Sequence, residues 1–196
     1  KYRGDWPEVE LDLTGGFNFA PLPALARGDL DLVITADPLP ISGIAYIPLF
    51  RYEAMLALDR HHPLSLKEWV EPEDLSDQVL ITYPVERERL DVFTRFLDPA
   101  SVEPESIRTA ELTPMMVQLV ASGRGTACLP NWALMEYVDN QIIVARKLGE
   151  HGIWATLYAA IREDQKDAAF IEDFLATAED TCFSNLSGIK AVNVET

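Results

Sequence analysis

The sequence predicts an α/β protein built as two Rossmann-like lobes joined by two crossover strands. Three observations lead there. Short apolar runs, DLDLVIT at 29–35 and VLITYP at 79–84, end in small, polar or proline residues, as buried strands at a ligand mouth do. Helical patterns alternate with these runs. The last strand and helix patterns, from about 154 on, have no partner in the sequence just before them. Returning them to the first half completes it, so the chain crosses between lobes near 55 and again near 155. Two crossings make a hinge.

Each element follows from local chemistry. Val9, Leu11 and Leu13 alternate with acidic residues, a strand pattern, and Gly15-Gly16 ends it. PLPALARG then reads as a short helix, with prolines at its entry and Gly28 at its exit. The strand at 29–35 follows, so residues 8–35 are expected to form a βαβ unit with parallel strands. IAYIPLF (44–50) and YEAMLALD (53–59) read as two strands. A polar, turn-rich stretch separates them from the strand VLITYP at 79–84. A helix is expected over 86–97, with Leu90, Phe93, Phe96 and Leu97 on one face. SIRTAE is a short strand. TPMMVQLVASGRG is a helix with Thr113 as N-cap, Pro114 at its first position and Gly123 past its end. TACLP is a strand, Asn131 caps WALMEYV, and QIIVARKL and WATLYAAIR are further strands. The final helix spans about 166–180, and the tail from Ser184 is expected to fray. The expected lobes are residues 1–54 with 160–196, and residues 55–159.

Composition narrows the partners. The chain has 196 residues, 48% hydrophobic and 24% charged, enough for packed cores rather than general disorder. Acidic residues number 32 against 16 basic ones, a formal net charge of −16. Such a surface repels phosphate backbones and anionic membranes. No apolar stretch approaches membrane-spanning length, and the opening KYRGDWPEVE is not a signal peptide. That opening reads instead as a chain cut inside a helix that Trp6-Pro7 closes. Cys128 and Cys182 lie far apart; a disulfide is open, and a reduced cytoplasm fits them at least as well. No nucleophile elbow, phosphate loop, dinucleotide fingerprint or metal box occurs, so catalysis has no support. Two lobes around a cleft also suit a periplasmic solute-binding protein for an amino acid or small anion, which is the alternative reading.

Three stretches occur in order: ALARGDLDLVITADP, PLFRYEAMLALDRHHPL and LVASGRGTACLPNWALME. Their Leu25, Gly28, Leu30, Asp31, Leu32 and Ile34, then His62, Pro63 and Leu64, then Val120, Gly123, Gly125, Leu129 and Pro130 resemble the effector-binding domain of LysR-type transcriptional regulators. The resemblance covers about residues 5–180. It is strongest toward the members that govern methionine biosynthesis, whose co-inducer is homocysteine. It implies a type 2 periplasmic-binding-protein-like fold and cytoplasmic location. It also implies a homodimer or tetramer in the full-length protein, with DNA bound only through a helix-turn-helix domain absent from this chain. Relative to the family, the first strand and an effector-contacting turn are expected to be missing at the N-terminus.

The expected effector contacts have ordinary readings beside them. Gly16, Phe17 and Asn18 form a first-lobe turn that permits close backbone approach, and Phe17 packs either a ligand or the lobe edge. Thr35, Ala36 and Asp37 end a strand; Asp37 could receive an ammonium group or simply start the turn before Pro38. Tyr83, Pro84 and Val85 end the central strand of the second lobe. Arg87 or Arg89 could clamp a carboxylate in bidentate fashion, or pair with Glu86 and Glu88 on a solvated face. Leu112 and Thr113 open a helix whose N–H groups suit a carboxylate, or Thr113 is a cap alone. Leu129 and Pro130 are expected to floor the cleft. Met55, Leu56, Ala155, Thr156 and Leu157 are the expected hinge. His61 and His62 are neighbours in sequence with no third ligand near them, so no metal is expected. No cofactor is expected either.

Overall fold

The computed structural model describes residues 2–15 and 20–192. In chain order the regular elements are α1 (Tyr2–Asp5), α2 (Pro21–Arg27), β1 (Leu32–Thr35), β2 (Ile44–Leu58), β3 (Trp69–Val70), β4 (Val79–Thr82), β5 (Ser106–Thr109), α3 (Thr113–Ala121), β6 (Thr126–Pro130), α4 (Asn131–Asp139), β7 (Val144–Leu148), β8 (Ile153–Arg162) and α5 (Ala169–Asn185). Two compact units divide them: Lys1–Arg51 with Thr156–Thr196, and Tyr52–Ala155. The changeovers fall inside β2 and β8, so both strands run through both units.

In the first unit β1 pairs antiparallel with β8, Val33 opposite Ala160. Helix α2 ends on Gly28 at φ +84°, a left-handed cap that only glycine adopts freely. Its Leu22 and Leu25 pack on Val33, Ile44 and Ala160. Tyr2 meets Phe174 edge-on at 5.3 Å and donates to the Phe170 carbonyl at 2.8 Å, which ties α1 to α5.

In the second unit the strand order is β3-β7-β2-β6-β4-β5. Strands β4, β5 and β6 are mutually parallel, and β2 runs antiparallel to both β6 and β7. Alternate residues feed two cores. Leu56, Leu58 and Leu80 pack with Val92, Phe93, Phe96 and Leu97 on one face. Ala57, Ile81, Ala127 and Leu129 pack with Met116, Val117 and Val120 of α3 and Leu134 of α4 on the other. A sheet covered on both faces explains the continuous apolar runs.

Several expectations are corrected. Residues 9–13 form no strand, because among the described residues no neighbouring strand pairs with them, and Leu13 is fully exposed. The βαβ unit over 8–35 is therefore not formed, and β1 is antiparallel to its neighbour. The stretches 44–50 and 53–59 are one strand, since Arg51-Tyr52 contains no turn former and Tyr52 is buried. Strand pairing runs through all eight strands, because β2 and β8 belong to both units. The helix over 86–97 is reduced to a 3-10 turn at Arg87–Arg89 and a π turn at Phe93–Leu97. Leu90 is extended (φ −107°, ψ 109°), which stops one helix from running through both. Thr113 and Asn131 are the first helical residues, not the caps; Leu112 and Pro130 hold the cap positions. Helix α5 starts later and reaches Asn185, its end held by Ser184 donating to the Asp180 carbonyl (2.7 Å) and Asn185 to that of Thr181 (2.8 Å). Beyond it, Lys190 exchanges backbone hydrogen bonds with Arg51, so the tail does not fray there.

Candidate functional site

The parallel β4, β5 and β6 of the second unit end at the same edge of the sheet, and the chain leaves two of them directly into helices. Helix α3 starts just past β5, and α4 starts at the residue after β6. Both helix N-termini, with their positive dipole ends, therefore lie on one edge, the usual ligand edge of an open α/β sheet. β4 is flanked by the other two, so Tyr83 leaves from the middle. The Ala110 N–H donates to the Thr82 carbonyl at 3.0 Å, which extends the pairing to the strand ends.

Two expected site residues meet here. The Tyr83 and Thr113 hydroxyls are 2.6 Å apart, one donating to the other. Burial pushes the Tyr83 phenol up, and the bond to Thr113 partly offsets this. The phenol stays neutral at physiological pH and can donate. Val85 N–H closes a tight turn onto the Tyr83 carbonyl at 2.9 Å, so Pro84 is held in a fixed bend. Leu112 is 62% exposed at the mouth of α3, whereas Leu129 is 1% exposed and packs into the core. Leu129 can offer only backbone to this edge, and Pro130 is the nearer surface. Asn131, buried at the start of α4, is a polar residue of this edge that the sequence reading treated as a helix cap alone. Its position after a strand and before a helix was the available signal.

The two arginines expected as a clamp are both ion-paired. Arg87 binds Asp98 (2.5 Å) and Glu103 (2.8 Å) and lies 4.0 Å over the Phe93 ring. Its charge is committed to two carboxylates, neither of them Glu86 or Glu88. Arg89 pairs with Glu86 at 3.3 Å.

In the first unit, Thr35, Ala36 and Asp37 follow β1. The Asp37 N–H donates to the Thr35 hydroxyl at 3.0 Å, a side-chain turn that fixes the strand exit. Nearby Tyr46 donates to the Leu39 carbonyl at 2.6 Å; burial and then the Asp37 charge push its phenol up. Gly16, Phe17 and Asn18 lie outside the described residues. Of the hinge set, Ala155 and Thr156 straddle one changeover, and Leu157 adjoins it. Met55 and Leu56 do not: they pair on both sides with β6 and β7, inside the second unit, and the first changeover is at Arg51 and Tyr52.

Among the described residues no group of three or more His, Cys, Asp or Glu could hold a metal ion. His62 Nδ1 accepts from the Leu64 N–H (3.2 Å), and its Nε2 donates to the Gln78 carbonyl oxygen (2.9 Å). Both cysteines are free. No helix of the described residues is long and apolar enough to cross a membrane.

This mixed α/β architecture is that of an effector-sensing domain, and the chain belongs to the LysR substrate binding domain family, whose pattern matches residues 1–182. It is similar to the HTH-type transcriptional regulator MetR of Escherichia coli (strain K12), 41% identical over 190 residues, covering 97% of this chain and 59% of that protein. It is also similar to MetR of Haemophilus influenzae, 36% identical over 99% of this chain and 62% of that protein. The chain thus spans about 59% of the length of the first of these relatives. The solved regulatory domain of MetR, a LysR family regulator from N. meningitidis, superposes with a TM-score of 0.84 at 36% identity, covering 98% of this chain and 88% of that one. The BenM effector binding domain with its effector benzoate shares the fold (TM-score 0.70, 20% identity).

Proposed function

We propose that this chain is the cytoplasmic effector-sensing part of a LysR-type activator of methionine biosynthesis genes, and that its effector is homocysteine. The observation that carries the reading is the likeness, at 36–41% identity over nearly the whole chain, to regulators named MetR. The chemistry of the two strand-end groups agrees with it. The starts of α3 and α4 offer N–H groups for a carboxylate, and the neutral Tyr83 phenol offers a further donor. Asp37 receives the ammonium group, and the thiol side rests near Pro84 and Tyr83. Binding shifts the balance of conformations about β2 and β8, the strands that run through both units. In the full-length protein, a dimer or tetramer, that shift reaches the DNA-binding domains, a coupling of roughly 1–3 kcal/mol.

Calorimetric titration with homocysteine and with methionine tests this. Heat with homocysteine is expected, and no heat with either ligand discards the assignment. An Asp37→Ala variant that binds homocysteine as tightly as the parent removes Asp37 from the site.

A further inference from the structure

A cavity lies at the edge of the sheet opposite the Tyr83–Thr113 pair. It measures about 450 Å³, within the range of roughly 300–1,000 Å³ for small-molecule sites. Gln78, Glu105 and Gly125 line it, each the residue immediately before one of the parallel strands β4, β5 and β6. The Tyr83–Thr113 pair is at the other end of those strands, so the two places are separated by the length of the sheet.

Four charged residues share this cavity: Asp77, Glu105, Arg108 and Arg124. No ion pair joins any of the four, to one another or to another described residue. Elsewhere Arg27, Arg87 and Arg162 each hold a carboxylate. Two guanidinium groups and two carboxylates around one cavity are thus left without an opposite charge among the described residues. The α3 exit is closed by Gly123 N–H to Val120 (2.9 Å) and Arg124 N–H to Leu119 (3.0 Å). Gly125, at φ +148°, packs so closely that a Cβ there would lie 2.6 Å from the Val79 carbonyl oxygen. Glu105 N–H donates to the Gln78 carbonyl at 3.0 Å. The Arg108 guanidinium reaches the Arg124 carbonyl at 3.4 Å, not a carboxylate. His62 donates to Gln78, whose amide in turn donates to Asp77, so the carboxylate is oriented from behind.

The geometry points to a second small-ligand site that takes a free α-amino acid as its zwitterion. The ligand carboxylate bridges Arg108 and Arg124; its ammonium group meets Asp77 and Glu105. Opposite charges around one cavity, unpaired with one another, are the complement of a molecule that carries both. The site is built wholly from the second unit and does not depend on the homocysteine reading.

Amide NMR titration of the chain with L-methionine tests it. Shifts are expected at Gln78, Glu105, Gly123 and Gly125, saturating in the millimolar range. N-acetyl-L-methionine and L-methioninamide, each lacking one charge, should bind at least about tenfold more weakly. The double variant Arg108→Ala/Arg124→Ala should abolish these shifts, and Asp77→Asn alone should weaken them. Tyr83→Phe should leave them in place, which separates this site from the other strand edge. Silent amides at ~10 mM L-methionine, or an equal response to L-methioninamide, would overturn the proposal.

Discussion

Tyr83 and Thr113 come from a strand end and a helix start 30 residues apart, and a single 2.6 Å hydrogen bond joins them. Such a bond contributes about 1 kcal/mol net. Tyr83→Phe should therefore lower the melting temperature by roughly 2–4 °C. A scan showing no change would mean that solvent replaces the bond without loss. Cys128 makes a pH prediction. Burial pushes its thiol from the ordinary 9.0 up to about 12, and burial also raises the Tyr52 phenol. Folded-state values above the unfolded ones mean that the unfolded chain releases these protons first. Stability is then complete below about pH 9 and is lost as pH climbs toward 12. Urea midpoints at about pH 8 and pH 10.5 should show the fall, and Cys128→Ala should flatten it. Arg87 teaches a different lesson. Its sequence neighbours are Glu86 and Glu88, yet its partners are Asp98 and Glu103, because a long side chain reaches what the turn brings near.

At the scale of elements, period-2 patterning was readable where both faces of a strand are covered, and misleading where pairing had to supply the other half. VLIT at 79–82 is a strand because β5 and β6 flank it. The alternating residues 9–13 are not, because no described strand receives them. The exit of α3 shows what a glycine does here. Gly125→Ala would place a methyl group 2.6 Å from the Val79 carbonyl at φ +148°. That strain is worth roughly 1–3 kcal/mol, so calorimetry should show a melting temperature lower by about 3–10 °C. An unshifted transition would mean that β4 and the loop separate easily.

For the molecule as a whole, the formal charge of −16 sets a self-repulsion that salt screens. The melting temperature should rise by a few degrees between about 20 mM and about 300 mM NaCl. A fall would show that specific ion pairs such as Arg87 with Asp98 outweigh the net charge.

The order of apolar runs, turn residues and glycine stops contained the fold class, because burial and backbone sterics act within a few residues of the chain. The same local rules placed Tyr83 and Thr113 at element ends. What they could not supply was partnership. Whether 9–13 pairs, whether β2 runs straight through Arg51-Tyr52, which carboxylates take Arg87, and which charges around Arg108 and Arg124 stay apart all depend on residues distant in sequence. Those outcomes are decided by long-range contact and charge balance in three dimensions, which no window of the chain encodes.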